Sequence, residues 1–307
     1  MRAGTAAALA RGIAVLFFFL ATAVVVSFFK SNGWYAALFS GIGLMAGATE
    51  FSMGANPARS ALIRRITHVC LALGLVVLAF SIGVDFQFHQ IMLDISRGVV
   101  TGAIIQFAAA RVAMPLLFGN IFCSRACWDG ITFDLAYARR RSVRRVPPAG
   151  DGRHWLAWGY LLFSIAAASA AAYALSDRTS PLESRRLRFG LENAAIIFFG
   201  LAVLPRMGGR SYCRLLCPFL TVSGVFARFA LFKITPDDEV ECDGCGACSR
   251  ACPMGIDVRG KTIGGERIDH PDCLLCEACV AACSKRRLRI SPPRSILRVF
   301  AKKGTGK

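Results

Sequence analysis

A chain of 307 residues that is 55% hydrophobic and only 18% charged is more apolar than a soluble globular protein, in which about a quarter of residues are charged. Its mean hydropathy of +0.50 points to a membrane protein with a polar appendix. The net charge of +18, from 37 basic and 19 acidic residues, comes with no nucleic-acid recognition motif, so it is read as membrane topology and no nucleic-acid partner is expected.

The first element runs from Gly12 to Phe29 behind a basic start, too long for the apolar core of a cleaved signal peptide, and reads as an uncleaved transmembrane helix. Five more apolar stretches approach the length of about 17–25 residues that a bilayer requires, giving six spans at 12–29, 34–50, 66–86, 98–118, 155–175 and 189–205. The second is the weakest, being short, rich in glycine ("SGIGLMAGA") and ended by Glu50. A count of four is the alternative, with the first pair re-entrant or absent. Basic residues mark the sides: Arg59, Arg64 and Arg65, then Arg125, Arg139, Arg140, Arg141, Arg144, Arg145 and Arg153, then Arg206, Arg210 and Arg214. With six spans the positive-inside rule puts all three groups, and both termini, in the cytoplasm. The loop "SDRTSPLESRRLR" would then lie outside, against the rule.

The expected fold is a mainly α membrane domain over 1–235, an α+β ferredoxin-like domain over 236–290 and a basic tail over 291–307. Ionisable residues within spans are costly and mark function by default, which singles out Glu50, Arg111 and Glu192. The alternative is that both glutamates are interfacial and that Arg111 snorkels to the cytoplasmic face, and this reading is preferred. Asp85, His89 and Asp94 share one outer loop; with Glu192, Asp85 and His89 are the weak candidates for handling protons. His68 reads as a packed or hydrogen-bonded histidine, and Cys70 as a small core residue.

Eight of the thirteen cysteines fall in two runs of one pattern: Cys242-x2-Cys245-x2-Cys248-x3-Cys252 and Cys273-x2-Cys276-x2-Cys279-x3-Cys283. This spacing is that of bacterial ferredoxins, in which three close thiolates hold one [4Fe–4S] cluster and the fourth reaches the other. The expected ligands are therefore Cys242, Cys245, Cys248 and Cys283 for one cluster, and Cys273, Cys276, Cys279 and Cys252 for the other. Zinc is disfavoured, because zinc ribbons pair two C-x2-C units.

Two further pairs lie just after apolar stretches: Cys123 and Cys127 in "CSRACWDGITFD", and Cys213 and Cys217 in "YCRLLCPFL". Residues four apart share a helix face, so two pairs could present one four-thiolate set, as metal ligands or as a redox contact.

The apolar spans, the two C-x3-C motifs and the terminal ferredoxin module resemble NapH-type membrane quinol dehydrogenases, and within that group the MauN proteins of methylamine utilisation. NosR and CcoG-type polyferredoxins share the theme. The family motif is usually C-x3-C-P; the second pair keeps it as Cys217-Pro218, whereas the first has Cys127-Trp128. The resemblance implies a bacterial inner-membrane protein with its ferredoxin domain in the cytoplasm. It would move electrons between the quinone pool and a redox partner, with quinol dehydrogenase activity left open. An alternative role is as a maturation factor, supplying electrons or metal to a partner dehydrogenase.

Overall fold

The computed structural model describes residues 3–29, 33–56, 59–83, 85–137, 152–174, 182–203 and 210–292. Arg139, Arg140, Arg141, Arg144, Arg145 and Arg206, and the tail from 293, lie outside the described residues.

The chain opens with three long helices, α1 (Ala3–Phe29), α2 (Gly33–Ala55) and α3 (Ser60–Ile82). Among the described residues these three are long and apolar enough to cross a membrane, over Ala8–Phe28, Gly33–Ala55 and Ser60–Ile82. Large apolar side chains point outward from them, among them Phe17, Val24, Leu73 and Val77, as expected where lipid rather than water is the neighbour. Six spans were expected. The fourth and fifth stretches form shorter apolar helices, Gly102–Phe118 and Trp155–Ala171. The sixth lies in a helix that opens on the charged sequence "LESRRLR". The third span begins at Ser60 rather than at 66, so Arg64 and Arg65 belong to the helix and not to a loop. Arg64 is held there by Asp134 at 3.6 Å.

Glycine, which made the second span look weak, is its packing surface. A Cβ on Gly47 would lie 2.8 Å from the Gly12 carbonyl oxygen, and one on Gly12 equally close to that of Gly47. Gly43 would meet the Phe19 Cβ at 2.6 Å. Gly43 and Gly47 thus form the small-xxx-small stripe by which membrane helices approach backbone to backbone. Replacing Gly47 by leucine is expected to force α1 from α2 and destabilise the protein by about 1–3 kcal/mol. Gly41→Leu, where no atom lies within 4 Å, is expected to be silent. Thermal unfolding in detergent compares the two.

The middle of the chain is broken into shorter pieces. These are α4 (Phe88–Ser96), α5 (Gly102–Phe107), a π-helical turn (Ala108–Ala113), α6 (Met114–Phe118), α7 (Ile121–Arg125) and α8 (Trp128–Tyr137). Then come α9 (Gly152–Ala174), α10 (Leu182–Phe198) with a second π-helical turn (Phe199–Val203), α11 (Ser211–Leu215) and α12 (Pro218–Ala227). The C-terminal unit is bracketed by an antiparallel strand pair, β1 (Lys233–Pro236) and β2 (Leu288–Ser291), in the register Lys233 to Ser291 and Pro236 to Leu288. Between them lie α13 (Ala247–Ala251), α14 (Val258–Ile263) and α15 (Ala278–Ala282). Ile234, Met254, Val258, Ile268, Leu274 and Leu288 form a small core shared with the cysteines.

Candidate metal centres

The two ferredoxin runs fold as a repeat. In the first, Gly244, Gly246 and Gly255 have left-handed backbone (φ 64°, 68° and 67°). At the matching places in the second stand Leu275, Glu277 and Arg286, at φ 50°, 61° and 55°. Non-glycine residues adopt this region at a cost and concentrate where function demands it. The conformation turns successive backbone amides inward, as a nest for an anionic group requires.

Each run encloses a cavity. One is lined by Cys242, Cys245, Cys248 and Cys283, and the other by Cys273, Cys276, Cys279 and Cys252. The fourth cysteine of each run faces the cavity of the other. Burial pushes the Cys252 thiol up to about 11, with Cys276 beside it adding to the rise. Cys273 is pushed up to about 12, again mainly by burial. Bare thiols at these places stay protonated at neutral pH; a metal centre removes that proton on binding. Among the described residues no three His, Cys, Asp or Glu side chains converge as ligands of one metal ion. Four thiols lining one cavity, three from one run and the fourth from the other, are the donor set of a [4Fe–4S] cluster, and the residues fit that group.

The C-x3-C pairs also meet. Cys123 ends up in the ferredoxin core with Cys213 and Cys217 packed against it. Cys123, Cys127, Cys213 and Cys217 lie close enough together that a negative charge on one disfavours a charge on the others. Burial raises Cys127 to about 11 and Cys217 to about 12. The two motifs share one local design: a single helical turn, a bend, and a ten-residue helix. The amide of Cys127 donates to the Phe122 carbonyl at 3.1 Å, and that of Cys217 to Tyr212 at 3.1 Å. Trp128 takes the place of Pro218 without changing the turn, because the first residue of a helix has no intrahelical acceptor for its N–H. Its ring packs on Phe86 and Phe189, and its indole N–H donates to Asn193. His68, fully buried, hydrogen-bonds the Cys127 carbonyl at 2.8 Å.

Arg111 does not snorkel. The π-helical turn aims it inward, 4% exposed, with Nη1 donating to Cys123 Sγ at 3.0 Å. Its guanidinium lies over the rings of Phe122 and Phe219, 4.3 and 4.7 Å from their centres. Its charge acts on the thiols of Cys123, Cys127 and Cys217 and on the buried carboxyl of Asp129. Arg210, 2% exposed, grips Asp134 with two bonds of 2.8 and 2.7 Å and donates to the Cys123 carbonyl at 2.9 Å. Gly130 makes room for it; a Cβ there would lie 2.9 Å from both Arg210 Nη1 and the Cys123 oxygen.

Helix α7 joins the two parts. Asn120 Nδ2 donates to the Pro271 carbonyl at 2.6 Å, and Ser124 Oγ to that of Leu274 at 2.9 Å. Arg125 is bonded to Glu50 at 3.0 Å and to Glu277 at 3.4 Å, and Arg11 approaches Glu277 at 3.8 Å. Glu50 is therefore buried and paired rather than interfacial. The second ferredoxin run thus rests on the helix that carries Cys123, whereas Cys245 of the first is exposed.

The proton candidates are placed differently. His89 Nδ1 lies 3.8 Å from Glu192 Oε2, both partly exposed. Asp94 accepts from Gln90 at 2.6 Å and from Thr101 at 3.0 Å, and its charge, like that of Glu192, acts on Asp85. Asp85 is buried and accepts from the amide of Gln87 at 2.9 Å. Cys70, expected in the core, is exposed. Arg111, Arg210 and Glu277 are the residues that sequence reasoning left without a site; the one signal was that an arginine in an apolar stretch is expensive.

Comparison with known proteins agrees with this chemistry. A 4Fe-4S dicluster domain matches residues 235–284. A 4Fe-4S binding domain matches 100–146 and 193–236, the two segments that hold the C-x3-C pairs. The chain is similar to membrane proteins of the 4Fe–4S ferredoxin type. An uncharacterized protein of Methanocaldococcus jannaschii, MJ0749, is 27% identical over 59% of this chain and 68% of its own length. The methylamine utilization ferredoxin-type protein MauN of Paracoccus denitrificans is 28% identical over 45% of this chain and 50% of its own. YccM of Escherichia coli, provisionally named an electron transport protein, is 25% identical over 69% of this chain and 65% of its own. No solved structure matches the chain. It is an iron–sulfur electron-transfer protein with helices able to enter a membrane.

Proposed function

We propose that this protein carries electrons between the quinone pool and a redox partner outside the membrane. The two crossed cysteine sets of the ferredoxin unit would hold one [4Fe–4S] cluster each, and Cys123, Cys127, Cys213 and Cys217 a third. Such clusters supply one-electron transfer without proton chemistry of their own. The rest falls to the chain. Arg111 supplies a positive charge beside the third set, which favours its more reduced, more negative state. The ferredoxin core excludes water from Cys248 and Cys279. Asn120, Ser124 and Arg125 fix the second run against α7, and this contact is the observation that carries the reading, because electron transfer needs centres held close and rigid. The quinone and the setting of methylamine utilisation rest on the NapH and MauN resemblance. The cytoplasmic, inner-membrane placing of the ferredoxin unit rests on the charge pattern.

Iron and acid-labile sulfide analysis with EPR on anaerobically purified protein tests this. About twelve irons per chain are expected, and zinc with no reducible signal would refute it. A Cys123→Ser, Cys213→Ser double variant is expected to lose about four irons, keeping the ferredoxin signals. Unchanged iron in that variant would leave the inner pairs without a cluster.

A further inference from the structure

The start of α10 is the stretch that the charge pattern leaves unexplained. Its sequence "SRRLR" places Arg185, Arg186 and Arg188 within four residues, on the side where the positive-inside rule expects few cations. Helix α3 measures their depth. Near its first end Arg64 meets Asp134 and His68 meets the Cys127 carbonyl, so that end lies level with the inner thiols. Near its other end the Ser81 carbonyl accepts from Arg186 Nη2 at 3.2 Å. Positions 68 and 81 are thirteen residues apart. That separation is about 20 Å along a helix. The arginines therefore mark the end of the α3 span that lies away from the thiols.

The protein leaves two of these charges underused. Among the described residues, the Nε of Arg185 and the Nε and Nη2 of Arg188 have no hydrogen-bond acceptor. Nearby acids are engaged elsewhere. Asp85 accepts from the Gln87 amide at 2.9 Å, although the Arg188 charge acts on it, and Glu192 lies 3.8 Å from His89. Cations beside hydrocarbon are costly unless an acceptor reaches them. On the same helix Leu187 and Leu191 point outward, 63% and 60% exposed. Lipid thus meets apolar side chains on α10 and, next to them, a pair of guanidinium groups. Arg185 and Arg188 are three positions apart, so they are neighbours on the helix surface, about 5–6 Å between their Cβ atoms. One group with several anionic oxygens can accept from both.

The setting selects the ligand. It must be anionic, sit at the level of a span end and carry hydrocarbon that can cover Leu187 and Leu191. A phospholipid phosphate has this chemistry, and guanidinium matches phosphate geometry with paired hydrogen bonds. A choline headgroup brings its own cation beside the phosphate, whereas phosphatidylglycerol brings only hydroxyls, so an anionic lipid is preferred. We propose that Arg185 and Arg188 hold the phosphate of an anionic phospholipid in the leaflet opposite the thiols, with its acyl chains along Leu187 and Leu191. The lipid completes a junction that Arg186 begins at Ser81, fastening α10 to the end of α3. Binding of this kind needs no cluster and does not depend on the direction of electron flow.

Photolabelling of the full chain in phosphatidylcholine nanodiscs tests it, with a trace of photoreactive phosphatidylglycerol as the probe and mass spectrometry to find the label. Label is expected between Leu182 and Glu192 or between Ser81 and Asp85, and photoreactive phosphatidylcholine is expected to label there at least about tenfold less. An Arg185→Gln, Arg188→Gln double variant is expected to lose that label by a similar factor, while Arg259→Gln, on the ferredoxin unit, keeps it. Excess inorganic phosphate is expected to leave the labelling unchanged. Equal labelling by the two lipids, or wild-type label confined to residues 59–65 or to the tail from 293, would overturn the site without any variant. So would a double variant that keeps the label, an equal loss in Arg259→Gln, or displacement by inorganic phosphate, which would mark a site for a free anion.

Discussion

A Cys283→Ser variant is expected to lose the same EPR signal as Cys242→Ser, and Cys252→Ser the same signal as Cys276→Ser. Each pair takes one member from either run, so Cys283→Ser and Cys252→Ser each remove the cluster of the run to which the replaced cysteine does not belong. The basis is the lining of the two cavities, in which Cys283 joins Cys242, Cys245 and Cys248, and Cys252 joins Cys273, Cys276 and Cys279. Loss of about four irons is expected in each case, since three thiolates and a hydroxyl hold a cubane poorly. The effect on folding is also large, because the bonds across the runs span a unit whose apolar core is small. If Cys283→Ser instead abolished the signal that Cys276→Ser abolishes, the crossed assignment would be wrong and each run would hold its own cluster.

Asp134→Ala is expected to destabilise the membrane domain by about 3–5 kcal/mol, because it strands Arg210 in the interior. Arg210 is 2% exposed and bound to both carboxylate oxygens of Asp134, the paired geometry that makes an arginine–carboxylate contact strong. Burial pulls the Asp134 carboxyl upward, but the charge and hydrogen bonds of Arg210, with Arg64 behind, more than offset it and hold the carboxyl below its usual 3.8. The pH dependence follows in sign. A depressed carboxyl contributes stability that is complete above its ordinary pKa and is lost as the pH falls through the lowered value. Thermal unfolding of wild type and Asp134→Asn from neutral to acid pH checks this: the two curves should converge at the acid end. Because Arg210 also holds the Cys123 carbonyl, the inner-centre EPR signal should broaden in the variant. A variant as stable as wild type would show that Arg210 finds water.

Local features of this fold were legible because they are local in the chain. Both ferredoxin runs are spelled by spacing alone, and the C-x3-C pairs repeat a pattern, although neither pair shares one helix face as expected: Cys127 and Cys217 lie in the bend beyond the single helical turn. The apolar stretch of α1 announced a span for the same reason. What escaped was contact across long separations. Nothing near Arg111 says that its partner is a sulfur rather than water, and nothing near Glu277 says that Arg11 and Arg125 reach it. Span counting failed differently. Glycine weakens a helix in water, so "SGIGLMAGA" looked marginal, yet against α1 the missing side chains are what permits contact. The later stretches are cut by π-helical turns and by charged starts, which periodicity does not separate from ordinary span ends.

Glu277 occupies a backbone conformation for which the first run uses glycine. The unusual residue buys an anchor: its carboxylate reaches α1 through Arg11 and α7 through Arg125. The ferredoxin unit is thereby seated at a fixed station instead of swinging on a tether like a mobile carrier domain. Order among the centres follows from that seating. Under the proposed function, electrons entering at the inner thiols would meet the seated half first and the half whose Cys245 is exposed last, a short wire with one buried and one exposed terminal.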